Sequence, residues 1–107
     1  MTSMGSIDRR IPAVVLEVAL IDVTDADGFV TAYRRARPLV TGTPGFRSIR
    51  LVRGIESPNR IVLLVEWDTL EAHTESFRES DRFPAWRAEI GRYFAEPPRV
   101  EHFTDVD

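Results

Sequence analysis

The segment Ile61 to Trp67 reads as a strand, yet it is apolar on both of its faces. Side chains alternate with period two along a strand, so Ile61, Leu63, Val65 and Trp67 share one side, and Val62 and Leu64 take the other. An earlier segment, Ala13 to Val23, behaves likewise, with Leu16, Val18 and Leu20 opposite Val15, Ala19 and Ile21. A chain of 107 residues forms one domain around a single core. Any architecture for it must therefore cover both surfaces of one sheet. No other feature of the sequence limits the fold as much.

The remaining segments supply the order. Thr24 or Asp25 is an N-cap candidate for a helix in which Phe29, Tyr33, Ala36 and Val40 recur at helical spacing. Pro38 lacks an amide proton, so that helix is expected to kink or end near Arg37. The run Thr43-Pro-Gly-Phe46 is a turn, and a second strand follows from Phe46 to Arg53. After Gly54 to Asn59 turns the chain, the third strand spans Arg60 to Trp67. Asp68 and Glu71 form an Asp-x-x-Glu capping box, opening a helix whose inner stripe is Leu70, His73, Thr74 and Phe77. A further helical segment carries Phe83, Trp86, Ile90 and Phe94, with Pro84 in its first turn. Arg99 to Val106 is the last strand, with poor alternation.

The order β-α-β-β-α-β is that of an α+β, ferredoxin-like sandwich: a four-stranded antiparallel sheet with the helices on one face. Residues 1–11 read as a flexible N-terminal segment and 12–107 as the domain. Helices cover only one side of such a sheet. Leaving the other open forgoes on the order of 10 kcal/mol if several hundred Å² of apolar surface stay wet. The chain has no spare element for the task, so the expected cover is a second copy packed sheet to sheet. Glu17 and Glu66 share faces with apolar neighbours. Their structural reading is an ion pair with Arg50 or with an arginine of the partner copy.

Composition narrows the chemistry. There are no cysteines, which removes disulfides, thiolate metal sites and cysteine nucleophiles. All fourteen Lys-or-Arg positions are arginine, which removes Schiff-base lysine chemistry. The net charge of -3 and the lack of a basic stripe argue against nucleic-acid binding. No apolar run approaches a membrane span, and the start lacks a secretory pattern, so the expected location is the cytoplasm. His73 and His102 are the only histidines, and His73 has no acidic or histidine partner three or four residues away on its helix. No metal site is expected.

Several pieces taken in order resemble the antibiotic biosynthesis monooxygenase family. They are Thr43-Pro-Gly-Phe46, Val65-Glu-Trp67, Asp68-Thr-Leu-Glu-Ala-His73, the later Ser80-Asp-Arg-Phe-Pro-Ala-Trp86 and Glu96-Pro-Pro-Arg-Val100. The resemblance covers residues 12–105 and implies a dimeric α/β barrel of two ferredoxin-like sheets. The quinone-forming branch of the family oxidises phenolic rings with O2 and no cofactor, using an asparagine, a tryptophan, a tyrosine and an arginine. On this chain the tryptophan falls on Trp67, the arginine on Arg87, the tyrosine on His73 and the asparagine on Leu63. The haem-degrading branch uses an asparagine, a tryptophan and a histidine, which fall near Val18, Phe77 and Arg87; none matches, so haem is not expected.

The resemblance thus implies a small aromatic or apolar substrate. His73 would act as general base, Arg87 would hold the resulting oxyanion, and Trp67 would stack on the ring. Phe77, Phe83 and Trp86 would form apolar walls, with Tyr33 contributing a hydroxyl from the first helix. The alternatives are a non-catalytic dimer that binds a small ligand, or an isomerase on the same scaffold. Leu63, at the position of the family asparagine, favours these alternatives.

Overall fold

The computed structural model describes residues 14–107, and the expected N-terminal segment 1–11 lies outside the described residues. Strands β1 (Val15–Asp22), β2 (Phe46–Arg53), β3 (Arg60–Trp67) and β4 (Arg99–Thr104) form one sheet in the order β2-β3-β1-β4, every neighbouring pair antiparallel. Helices α1 (Ala26–Thr41) and α2 (Arg82–Ile90) pack on the same face. The expected ferredoxin-like α+β sandwich is the fold.

Helix α1 starts at Asp25, whose carboxylate accepts the Gly28 amide at 3.1 Å. It buries Phe29, Ala32, Tyr33, Ala36 and Val40. Of the two outcomes expected at Pro38, an end near Arg37 does not occur, and the helix continues through Pro38 to Thr41. Pro38 sits in the last turn, where only one backbone bond is lost. The carbonyls there are used by Gly42 N (to Pro38, 2.9 Å) and by Thr43 Oγ1 (to Leu39, 3.0 Å), while Val40 anchors the turn in the core.

The link from β3 to α2 departs further from the expected pattern. The Asp68/Glu71 box does not form: Asp68 is drawn to Arg47 at 3.0 Å, and Thr69 Oγ1 accepts the Ala72 amide at 3.1 Å instead. Residues Ala72–Phe77 wind as a π-helix, with Arg78 N donating to His73 O, five residues back, at 3.0 Å. The wider turn carries Ala72, His73 and Phe77 inward and leaves Leu70 41% exposed, so Leu70 is not part of the inner stripe. Phe94 lies beyond α2 and a 3₁₀ turn (Gly91–Tyr93), in extended backbone bridged to Val23.

The inner face of the sheet joins the core through Ala19, Ile21, Ile61, Leu63, Val65 and Trp67. By strand parity Leu16, Val18, Val62, Leu64 and Phe103 point to the other face, where no described element packs on them. Strand β4 explains its own poor alternation: Phe103 belongs to this outer apolar face, and the inner position beside it is taken by His102.

Candidate functional site

Between the sheet and the helical layer lies a cavity of about 290 Å³. Its floor is Glu17, Ala19 and Ile21 of β1, with Leu63 of β3 and Val100 of β4. Its roof is His73 and Phe77 from the π-helical turn, with Phe83, Trp86, Arg87 and Ile90 from α2. Arg78, Phe94, Pro97 and Pro98 complete the lining. The π-helical turn positions the site, because it brings His73 and Phe77 down together over β1.

One end of the cavity is ionisable. Trp67 Nε1 donates to Glu17 Oε1 at 3.0 Å, and His73 Nε2 stands 3.4 Å from the same oxygen. The other nitrogen of His73, Nδ1, is 2.7 Å from His102 Nε2. The His73 ring lies flat on the Trp67 indole, with centroids 5.4 Å apart and 15° between planes. Glu17 and His73 are both buried. The register accounts for the group: Glu17 of β1 is paired directly with His102 of β4, and Trp67 is paired with Val15, two residues along from Glu17.

Burial sets the electrostatics. It pushes the Glu17 carboxyl above its ordinary range, while the Trp67 N–H and the positive charge of Arg78 pull the other way. It also pushes His73 down to about 3, helped by Arg78 and His102. His102 is lowered as well, by burial and then by Arg78. At neutral pH both imidazoles are therefore uncharged, and the 3.4 Å approach of His73 Nε2 to Glu17 is a contact between a neutral ring and a carboxyl group rather than an ion pair. The expected pairing of Glu17 with Arg50 does not occur, because Glu17 meets Trp67 and His73. Glu66 accepts from Ser48 Oγ at 2.7 Å on the exposed side.

Arg87 enters from α2, its guanidinium 5.9 Å from the Phe83 ring centre and 5.5 Å from that of Phe94. Of the residues singled out from sequence, the cavity gathers His73, Arg87, Leu63, Phe77, Phe83 and Trp86. It does not gather Trp67 or Tyr33. Trp67 is fully buried behind Glu17 and His73, so its N–H is spent on Glu17 and its face on the imidazole. Tyr33 stands edge-on to Trp86 and lines a separate hollow between α1 and β2. Sequence reasoning missed Glu17 as a cavity residue and His102 as the partner of His73. The available signal was topological, since the first and last strands of this fold are neighbours.

Glu17 and His102 approach opposite nitrogens of His73 and so cannot converge on one ion. Among the described residues no group of three His, Asp or Glu side chains is arranged to hold a metal. No described helix is long and apolar enough to cross a membrane.

A family model described as antibiotic biosynthesis monooxygenase matches residues 14–89. The chain is 38% identical over 94 residues to the uncharacterised protein YczJ of Bacillus subtilis, covering 86% of this chain and 99% of that one. A candidate antibiotic biosynthesis monooxygenase from Bordetella bronchiseptica, of known structure, is also 38% identical, with a TM-score of 0.84 over 88% of this chain and 98% of its own. SnoaB, a cofactor-independent oxygenase from Streptomyces nogalater, is 18% identical. It superposes with a TM-score of 0.79 over 89% of this chain and 95% of its own, a likeness of fold.

Proposed function

The chain belongs to the antibiotic biosynthesis monooxygenase family, and on that premise we propose that it works as a homodimer, oxidising a small aromatic, polyketide-like phenol with O2 and no cofactor. The observation that carries this reading is the cavity itself: an aromatic-walled space of about 290 Å³ with the Glu17 carboxyl on its floor, the His73 imidazole above it and a guanidinium on α2. A phenolic ring must lose a proton before it is electron-rich enough to pass an electron to O2. The Glu17–His73 end is the basic group for that step. Arg87 holds the resulting oxyanion by charge-assisted hydrogen bonds. Phe77, Phe83 and Trp86 clamp the ring and exclude water, which strengthens both interactions. The step then balances within the cavity: a ring CH2 becomes C=O, one oxygen atom of O2 enters the product, and the other leaves as water with the two hydrogens.

That SnoaB performs cofactor-independent oxygenation on this scaffold supports the reading. The dimer is supported by the outer sheet face, where Leu20 and Phe103 are 37% and 47% exposed beside Leu16, Val18, Val62 and Leu64.

Leu63 favours a second reading. It puts a hydrocarbon on the floor where the resemblance would place an amide, and a carboxyl–imidazole pair in an aromatic-walled pocket also suits proton shuffling in an isomerase. Oxygen-electrode measurements on purified protein, with a panel of anthrone-type phenols, separate the two. The oxygenase reading predicts enzyme-dependent O2 uptake equal to substrate consumed. Ligands that quench tryptophan fluorescence without any O2 uptake would overturn it.

A further inference from the structure

The chain has only two histidines, and they touch, one buried at the cavity and the other half-buried on β4. Both ring nitrogens of His73 have a polar neighbour: Nδ1 is 2.7 Å from His102 Nε2, and Nε2 stands 3.4 Å from Glu17 Oε1. With its proton on Nε2 and its Nδ1 lone pair taken by His102, such an imidazole offers no lone pair to a ligand. Glu17 differs. Its Oε1 takes the contacts from Trp67 and His73, whereas Oε2 accepts no hydrogen bond from the described residues, and the side chain lines the cavity.

Three donors and acceptors in a row leave few proton arrangements. A neutral imidazole carries one N–H, on either nitrogen, and the hydrogen bond made by the other nitrogen selects which. If His102 donates from Nε2, His73 Nδ1 must accept, and the His73 proton must sit on Nε2, facing Glu17. Glu17 Oε1 then receives two N–H groups, from Trp67 and from His73. With the opposite tautomer a lone pair would face the carboxylate across 3.4 Å, which favours a protonated, inactive Glu17.

We propose that His102 is a positioning residue, whose Nε2–H fixes the tautomer of His73 so that Glu17, not His73, is the cavity's proton-accepting group toward a phenolic ligand. The claim deepens the oxygenase reading and rests on it for the identity of the ligand, but the tautomer and the state of Glu17 belong to the free protein. The groups around the pair come from every packed element: Glu17 on β1, Trp67 on β3, Arg78 after the π-helical turn, Arg87 on α2 in the lining of the same cavity, and His102 on β4. Burial and the neighbouring Arg78 keep both imidazoles neutral, which this arrangement requires.

The test begins without substrate. Nitrogen-15 NMR of the imidazoles at pH 7 is expected to find His73 protonated on Nε2 and bare on Nδ1. His102→Gln, which retains a donor, keeps that tautomer, whereas His102→Leu gives a mixture of both. Carbon-13 titration of the Glu17 carboxyl is expected to move to higher pH in His102→Leu and to return in His102→Gln. A His73 proton on Nδ1 in the unaltered protein, or a tautomer and Glu17 titration unchanged in His102→Leu, would overturn the proposal. Once a substrate is turning over, Glu17→Gln should lower turnover on the order of a hundredfold or more. His102→Leu should lower kcat with KM unchanged. Absence of O2 uptake with every phenol counts against the oxygenase reading alone, since the two spectroscopic outcomes still decide the role of His102.

Discussion

His73 is the residue at which burial, stacking and chemistry meet, and its charge state has a measurable consequence. Unfolded, the ring takes up a proton near pH 6.5; folded, it resists until about 3. Between those values unfolding binds a proton, so the stability present above pH 6.5 is lost as pH falls toward 3. Glu17 acts in the opposite sense, because its raised carboxyl binds a proton more readily when folded. A comparison with His73→Gln isolates the imidazole. Urea unfolding at pH 7 and pH 5 should show His73 accounting for a loss of about 2 kcal/mol in the unaltered protein that the variant lacks. Equal losses in both would mean that His73 titrates freely in the fold. On the other wall, Arg87→Leu should leave stability almost unchanged and lower kcat/KM roughly ten- to a hundredfold, the worth of a hydrogen bond to a charged group. Steady-state kinetics on any substrate that turns over checks it.

At the level of elements, what could be read from sequence followed from how local its cause was. Strands β2 and β3 begin and end where turn residues and alternation place them, at Phe46, Arg53, Arg60 and Trp67. The Asp25 cap is equally local. The π-helical turn was not legible, since Leu70, His73, Thr74 and Phe77 fit an α-helical stripe as well, and nothing in that spacing marks the wider winding. The Glu17–His73–His102 row was hidden for a different reason. Its members come from three elements, and nothing in a helical window around His73 points to β4. Gly45 ties the first turn to the π-helical segment. It has φ of 89°, its carbonyl accepts the Asp68 amide at 2.7 Å, and a Cβ there would stand 2.6 Å from that of Ala72. Gly45→Ala should cost at least about 1 kcal/mol from backbone strain alone, and more from the collision. Thermal unfolding measures it; an unchanged Tm would mean that the turn relaxes freely.

For the molecule as a whole, one sheet has to serve two apolar faces. The inner face meets the helices and encloses the cavity, and the outer face is the surface proposed to meet a second copy. Leu64 lies on that outer face, away from the cavity. Leu64→Arg should therefore convert a dimer to single chains in a solution mass measurement while leaving the fold's circular dichroism unchanged. An unaltered protein that runs as a single chain at micromolar concentration would remove the sheet-to-sheet pairing from the account. The cavity's proposed chemistry is tested most directly by turnover under ¹⁸O-labelled O2, with mass spectrometry of the product. Oxygenation predicts one labelled oxygen in each product molecule, with no cofactor added. A product that forms unlabelled, with O2 not consumed, would contradict it and leave proton transfer as the reaction of the site.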